Sequence, residues 1–210
     1  MSRGLFITFE GTEGAGKSTH IRLLAEHLRQ QGRTVRELRE PGGTLLGEEI
    51  RHLLKHHPAG HGMTAEAELL LINASRAQLV REVIRPALAA GEIVLCDRFA
   101  DSTTAYQGHG RGLDLTLVES AIAAAVGNTW PDLTLLLTVS QTTSEARRKR
   151  RSGTDRFEES GPEFFARVES GFAAIAHSHP QRVKVIDADC PLETVQADIQ
   201  RRVAVILSNA

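Results

Sequence analysis

The stretch that most constrains the fold is GTEGAGKS, residues 11–18, which lies between a run of β-forming residues and apolar residues at helical spacing. It matches the pattern G-x-x-x-x-G-K-S/T, whose glycines let successive backbone N–H groups point into one concavity that binds phosphate oxygens. The positive end of the following helix adds to that attraction. A plain glycine turn is the alternative, but pattern and context together predict an α/β fold that binds a nucleoside triphosphate.

The residues of this loop have separate expected roles. We expect Lys17 to reach the β- and γ-phosphates and the Ser18 hydroxyl to ligate Mg²⁺. The residues predicted to bind ATP are Gly11, Thr12, Glu13, Gly14, Ala15, Gly16, Lys17, Ser18 and Thr19. GTPases usually read guanine with an N-K-x-D stretch, and no asparagine of this chain is followed by lysine, so a guanine-dependent switch is not expected.

Strand-like and helix-like segments alternate along the whole chain. The predicted strands are GLFITFE (4–10), RTVREL (33–38), EIVLCD (92–97), DLTLLLTV (132–139) and RVKVID (182–187). The predicted helices cover about 21–31, 45–56, 65–90, 113–127, the region from 144 onward, 162–177 and 192–203. Pro86 is expected to kink the long helix and Gly91 to end it. The alternation predicts one domain with a doubly wound, mostly parallel five-stranded sheet and helices on both faces.

Composition excludes several classes of protein. A chain of 210 residues suffices for one well-buried domain, and a formal net charge of −1 gives no global field that would recruit nucleic acid or a membrane. Two cysteines, Cys96 and Cys190, are no disulfide framework, so a reducing cytoplasmic setting is expected. We find neither the roughly 18-residue apolar run of a membrane helix nor the apolar core of a signal peptide.

Four further stretches carry a family resemblance: REPGGT (39–44), ASRAQL (74–79), CDRFADSTTAYQGHGRG (96–112) and RRKRRSGTDRFEE (147–159). With the phosphate loop and the closing D-A-x-x-P-L-E-x-V at 187–195, the chain resembles bacterial thymidylate kinases over essentially its whole length. The resemblance implies transfer of the γ-phosphoryl group of ATP to dTMP, with Mg²⁺, in dTTP synthesis. It also implies the three-layer α/β/α fold of P-loop nucleoside monophosphate kinases, strand order 2-3-1-4-5, and a homodimer.

The resemblance places three charged residues between the two nucleotides. Glu13 would face the acceptor nucleotide near the deoxyribose 3′-hydroxyl; the alternative is a solvent-facing loop residue. Asp97 would hold Mg²⁺ through water and Arg98 would grip the dTMP phosphate, since a planar guanidinium suits phosphate oxygens. Asp97 and Arg98 also end a buried strand, at the edge of the sheet where ligands bind. Their alternative is an Asp–Arg pair that fixes a loop.

The base pocket carries one departure from the family. By resemblance Arg76 hydrogen-bonds the thymine edge, the alternative being a solvated helix charge. Ile72, one helical turn earlier, stands where the family usually has an aromatic ring that stacks on the base, and an aliphatic side chain offers no such stacking. Tyr106 is expected to exclude a ribose 2′-hydroxyl, or else simply to pack. The remaining expected pocket residues are Glu40, Pro41, Ser102, Thr103 and Gln107.

The basic run at 147–151, followed by Arg156, has three interpretations: a solvated helix face, a nucleic-acid patch, or a small lid at about 147–160 that brings arginines onto the ATP phosphates. The phosphate loop has no basic residue between Gly11 and Lys17, and family members of that kind supply an arginine from the lid. Arg151 and Arg156 match the lid pattern best, whereas Arg147 and Lys149 fit a surface position equally well. The predicted catalytic residues are Lys17, Arg98, Glu13, Arg151 and Arg156.

A zinc site and two rival functions are weaker hypotheses. The cluster His52, His56, His57 and His61 resembles a zinc site, but a proline and two glycines interrupt the helix and no cysteine or carboxylate cluster joins it, so a solvated loop is expected.

Two rival functions are also open. A kinase of the same fold could act on another nucleoside monophosphate, and a nucleotide-dependent switch would show slow ATPase activity indifferent to dTMP.

Overall fold

The computed structural model describes residues 3–149, 156–157 and 160–208. Five parallel strands form one sheet: β1 (Phe6–Glu10), β2 (Val35–Arg39), β3 (Ile93–Asp97), β4 (Leu133–Thr138) and β5 (Val183–Asp187). Their order is β2-β3-β1-β4-β5. The predicted five-stranded order 2-3-1-4-5 is therefore confirmed.

Apart from one short helix after β3, the helices that flank this sheet follow the predicted segments closely. They are α1 (Lys17–Gln30), α2 (Leu45–Lys55), α3 (Ala65–Leu79), α4 (Arg85–Ala89), α5 (Ala100–Thr103), α6 (Leu115–Val126), α7 (Gln141–Lys149), α8 (Pro162–Ser178) and α9 (Leu192–Leu207). Side chains cap the starts of α2, α3 and α6, since the Thr44 hydroxyl accepts from the Gly47 N–H, the Thr64 hydroxyl from the Ala67 N–H and the Asp114 carboxylate from the Leu117 N–H. In the described part of the chain, no helix is both long enough and apolar enough to span a membrane.

The core lies on both faces of the sheet. Phe6 points to one face, where it packs with apolar residues of α3, α4 and α6, while Ile7 and Phe9 point to the other face and pack with residues of α1 and α9. This alternation along β1 follows from the two-residue period of a strand. It produces the three-layer arrangement that the alternation of strands and helices predicted.

Two local features depart from a simple helix pattern. The predicted long helix is interrupted by a π-helical turn at Val80–Ile84, directly before Pro86, which cannot donate a backbone hydrogen bond. A helical segment not predicted from the sequence follows β3: α5 continues into a π-helical turn at Thr104–Gly110. This segment places the residues after β3 beside the phosphate loop.

Candidate active site

A cavity of about 400 Å³ lies beyond the carboxyl ends of β1, β2 and β3, since residues that follow these three strands line it. Such a point in an open α/β sheet is where ligands bind. It brings together most of the predicted residues: Glu13, Gly14, Gly16, Lys17, Ser18, Glu40, Pro41, Ile72, Arg76, Asp97, Arg98, Ser102, Thr103, Tyr106 and Gln107. Phosphate loop and predicted acceptor residues therefore share one space.

The phosphate loop is held in shape by its glycines and its lysine. Gly11 has φ +125°, and a Cβ there would lie 2.2 Å from the carbonyl oxygen of Leu137, so only glycine fits. The Lys17 ammonium donates to the carbonyl oxygens of Gly11, at 2.9 Å, and Thr12, at 3.0 Å. Burial, together with the charge of Arg98, lowers the pKa of Lys17 from 10.5 to about 8, while the charges of Asp97, Glu13 and Glu10 oppose that fall.

Ser18 and Asp97 form the part of the site suited to a magnesium ion. The Ser18 hydroxyl donates to Oδ2 of Asp97 over 2.9 Å, which ties the start of α1 to the end of β3. Both groups are hard oxygen ligands, and Mg²⁺ takes few protein ligands, filling its remaining positions with water and phosphate. Among the described residues, no group of three or more His, Cys, Asp or Glu side chains could hold a metal by itself.

Arg98 lines the cavity and has a strained backbone conformation. Its φ is +70°, a left-handed value uncommon for a residue with a side chain. Its guanidinium donates to Glu13 Oε1 at 2.6 Å, Ser102 Oγ at 3.0 Å and the Tyr106 hydroxyl at 3.2 Å. It also lies over the Tyr106 ring, 4.9 Å from the centroid. These contacts fix the direction of the guanidinium.

Glu13, the acid inside the phosphate loop, faces this guanidinium and not solvent. The side chain is 16% exposed, and its second oxygen accepts from the Tyr106 hydroxyl at 2.7 Å. Burial alone would raise the pKa of Glu13, but the charges of Arg98 and Lys17 and the Tyr106 hydroxyl lower it from 4.5 to about 2. Glu13 is thus ionised at neutral pH and holds two residues of the predicted acceptor pocket.

Glu10, at the end of β1, is a site residue that the sequence reasoning missed. One oxygen accepts the backbone N–H of Phe99 at 2.7 Å and of Ser102 at 3.3 Å, and the other accepts the Ser102 hydroxyl at 2.5 Å. Burial, followed by the charge of Asp101, raises the pKa of Glu10 from 4.5 to about 7. A charge at the end of a buried strand needs partners. The position of Glu10 at the end of the apolar run FITFE was therefore a signal available in the sequence.

Arg76 is not a solvated helix charge, because it is 1% exposed. It donates to Glu40 Oε2 at 2.8 Å, to Asn73 Oδ1 at 2.9 Å and to the Phe99 carbonyl at 3.0 Å. Burial raises the pKa of Glu40, while Arg76 opposes that rise. Two buried polar atoms of this region, Glu40 Oε1 and Thr103 Oγ1, have no hydrogen-bond partner among the described residues. Both residues line the cavity, although these two oxygen atoms are themselves buried from solvent.

The structure describes only some of the predicted lid residues and places them differently. Arg151 lies outside the described residues, as do 150, 152–155 and 158–159. The structure does not bring Arg156 to the phosphate loop, because its guanidinium donates to Glu68 Oε2 at 2.5 Å and to the Leu54 carbonyl at 2.9 Å. Arg147 joins the loop to the turn after β5, since it donates to the carbonyls of Gly14 at 3.2 Å and Ala188 at 3.1 Å.

Several further residues shape the cavity without having been predicted. Arg39, Arg51, Lys55, Phe99 and Phe157 all line it. Three of them are basic and come from the end of β2 and from α2, so this wall adds positive charge to the cavity. The histidine cluster lies elsewhere: the rings of His52 and His57 meet edge to face, with centroids 5.6 Å apart, and His57 Nδ1 accepts from the Ala59 N–H.

Comparison with known proteins gives a consistent result. The family model described as Thymidylate kinase matches residues 9–199. Thymidylate kinase of Deinococcus radiodurans is 49% identical over 199 residues, which cover 95% of this chain and 96% of the relative. Thymidylate kinase of Alcanivorax borkumensis is 48% identical, over 94% and 95% of the two chains. The crystal structure of thymidylate kinase from Ehrlichia chaffeensis superposes with a TM-score of 0.78 at 34% identity, over 96% and 99% of the chains.

Proposed function

The chain belongs to the thymidylate kinase family, and from that premise we propose that it transfers the γ-phosphoryl group of ATP directly to dTMP, giving ADP and dTDP. The single observation that carries the proposal is the shared cavity. Its walls include the phosphate loop on one side and a second set of anion-binding and polar groups, centred on Arg98, on the other. A nucleotide-dependent switch needs no such second pocket.

The donor side would be organised by the phosphate loop. Lys17 and the backbone N–H groups of the loop would bind the triphosphate, and the hydroxyl of Ser18 with the carboxylate of Asp97, directly or through water, would hold Mg²⁺. When bound, the ion neutralises phosphate charge. Because the Lys17 ammonium is held by two loop carbonyls, little reorganisation is needed to present it to a phosphate oxygen.

The acceptor side would position the dTMP phosphate for in-line attack. A phosphate monoester has its second pKa near about 6, so an oxygen of dTMP is already ionised at neutral pH and no strong general base is required. Arg98 would grip this phosphate while Glu13 holds Arg98 and the Tyr106 hydroxyl in place, close to where the deoxyribose would lie. Positioning and charge neutralisation are then the catalytic contributions of the chain.

The base would lie between α3 and the segment after β3. Ile72 and Pro41 supply apolar surface there, while Arg76, Glu40, Ser102, Thr103 and Gln107 supply polar edges. A pyrimidine edge with both donors and acceptors would match these polar groups.

A lid at 147–160 would add positive charge to the ATP phosphates and exclude water. Arg151 is the proposed source of that charge. A role for Arg156 on the phosphates stays a prediction, and it requires the guanidinium to leave Glu68.

We further propose a homodimer that acts in the cytoplasm, where nucleotide substrates are found. The described surface carries strongly exposed leucines on neighbouring helices, with Leu45 91% and Leu70 62% exposed, and exposed apolar area of this kind often marks an interface. Sedimentation velocity at micromolar concentration tests the dimer, which a species of 22.9 kDa alone would contradict.

The first experiment on function measures ADP formation from Mg-ATP with dTMP, dUMP, dCMP, dGMP or AMP as acceptor. We expect dTMP to stimulate turnover far above the others. If another monophosphate is preferred, the base pocket has been misinterpreted, although the phosphate chemistry stands. If no acceptor stimulates a slow ATPase activity, a switch function replaces the proposal.

A further inference from the structure

Three aromatic side chains line the described part of the cavity, and they differ in origin. Phe99 is fixed in the core by an edge-to-face contact with Phe6, at 4.9 Å between centroids, and Tyr106 is held by Glu13 and Arg98. Phe157 comes instead from the stretch between α7 and α8. It therefore reaches the cavity from the connection between β4 and β5 and not from the segment that follows β3.

Phe157 forms part of the apolar wall next to Ile72. The ring is 8% exposed and belongs to one buried cluster with Ile72 and Leu54. It also meets the Tyr106 ring edge to face, with centroids 6.5 Å apart and planes at 76°. An aromatic ring thus shares both a buried cluster and the cavity wall with the aliphatic residue of α3.

Glu68 binds Arg156, the residue directly before Phe157 in the chain. The carboxylate is buried in α3 and accepts from Gln107 at 2.8 Å, from Arg111 at 3.2 Å and from Arg156 at 2.5 Å. Arg156 also donates to the Leu54 carbonyl, and its guanidinium lies 4.7 Å from the centroid of the Phe157 ring. The carboxylate therefore links α3, the π-helical turn after α5, and residues 156–157.

We propose that Phe157 is a specificity-determining wall of the acceptor pocket, against which the base packs, and that Glu68 is the positioning residue that holds it there through Arg156. The inference rests on the proposed function, because it names the acceptor contacts of that same site. It gives this chain an aromatic surface for the base that does not come from α3. Aromatic contacts are worth more than their buried area alone, and a pyrimidine 5-methyl group gains from apolar cover.

The first test compares full-length wild type with Phe157→Ala and Phe157→Leu in steady-state kinetics. For Phe157→Ala we expect the KM for dTMP to rise about tenfold, the KM for ATP to stay within about twofold, and the preference for dTMP over dUMP to shrink. Phe157→Leu should restore part of the loss, because it keeps apolar volume. Phe165→Ala is the matched control, since Phe165 packs against the same cluster from α8 but does not line the cavity.

The second test is a double-mutant cycle with Glu68→Gln. If Glu68 acts through Phe157, Glu68→Gln raises the KM for dTMP in wild type but has little further effect in the Phe157→Ala background. If the KM increases of the two single variants multiply in the double variant, the positioning role of Glu68 is overturned. Thermal melting of each variant separates these changes from unfolding, and Phe157→Leu gives the readout if the alanine variant does not fold.

The outcomes also separate the inference from the proposed function. If wild type does not phosphorylate dTMP, the proposed function fails. If wild type does so and both Phe157 variants keep the KM for dTMP and the dTMP over dUMP preference within about twofold, the proposed function stands and the role of Phe157 is refuted.

Discussion

The ion pair between Glu13 and Arg98 predicts a specific acid dependence of stability. Glu13 accepts two short hydrogen bonds, from Arg98 at 2.6 Å and from Tyr106 at 2.7 Å, so its ionised form is favoured in the folded protein. Glu13→Gln keeps the shape of the side chain but removes the charge. The variant therefore isolates the contribution that depends on ionisation.

The magnitude follows from the lowered pKa. The pKa of Glu13 falls from 4.5 to about 2 on folding, and each unit corresponds to about 1.4 kcal/mol, so ionisation of this group contributes about 3 kcal/mol to the free energy of unfolding. A carboxyl group whose pKa is depressed in the folded state stabilises above its unfolded value and loses this contribution as the pH falls. About 2 kcal/mol should be lost between pH 6 and pH 3.

The assay is urea unfolding followed by far-ultraviolet circular dichroism, for wild type and Glu13→Gln, at intervals from pH 6 to pH 3. Taking the difference between the two proteins cancels the titration of all other groups. We expect wild type to be the more stable protein at pH 6 and its advantage to shrink by about 2 kcal/mol at pH 3. Glu26→Gln, which breaks an exposed ion pair with Arg22, should follow wild type within about 0.5 kcal/mol. A difference between wild type and Glu13→Gln that does not change with pH would refute the buried ion pair.

Three further predictions concern the same cavity. Lys17→Ala should lower phosphoryl transfer at least about a hundredfold with little change in melting temperature, and near-full activity in an ADP-release assay would contradict the proposed donor site. Asp97→Asn should raise the Mg²⁺ concentration needed for half-maximal rate by about ten- to a hundredfold, with partial rescue by excess metal, and an unchanged Mg²⁺ titration would count against its assigned role. Glu10→Gln should be the more stable protein above neutral pH, because the pKa of Glu10 is raised to about 7 in the folded protein. Wild type keeps its full stability below about pH 4.5 and loses about 3 kcal/mol as the pH rises through 7. Parallel unfolding curves for wild type and Glu10→Gln from pH 5 to pH 9 would show that Glu10 is not buried as described.

The strands and the phosphate loop were predictable because their signals are local. A continuous apolar run such as EIVLC predicts a buried strand, and the loop pattern specifies its own backbone through Gly11 and its lysine. The helical segment after β3 was not predictable in this way, since residues 100–110 carry two threonines and two glycines. Tertiary contacts stabilise it: Glu10 accepts from Ser102, and Gly110 lies so close to α8 that a Cβ there would be 2.6 Å from the Phe164 ring.

The residues of the site also divide into those with a local sequence signal and those that depend on tertiary contacts. Those that stand in recognisable motifs, such as Arg76 and Asp97, were placed in the cavity from the sequence. Glu68 and Phe157 were not, because their partners are distant in the chain: Glu68 and Arg156 are separated by 88 positions. No periodicity within a helix reveals which of its buried acids will meet a guanidinium from another part of the molecule.

Glu10, directly before the phosphate loop, and Glu13, inside it, both help to orient Arg98, the cation that would bind the acceptor phosphate. Glu10 accepts from Ser102, Ser102 accepts from Arg98, and Arg98 donates in turn to Glu13 and Tyr106, so one connected set of hydrogen bonds runs across the cavity floor. A left-handed backbone at a residue with a side chain costs about 1–2 kcal/mol, and these charge-assisted bonds offset it. Within the described part of the chain, they leave the Arg98 Nε–H and one Nη1–H for an incoming anion. A carboxylate inside an anion-binding loop is therefore compatible with phosphate binding, because its charge is already matched by the guanidinium that it orients.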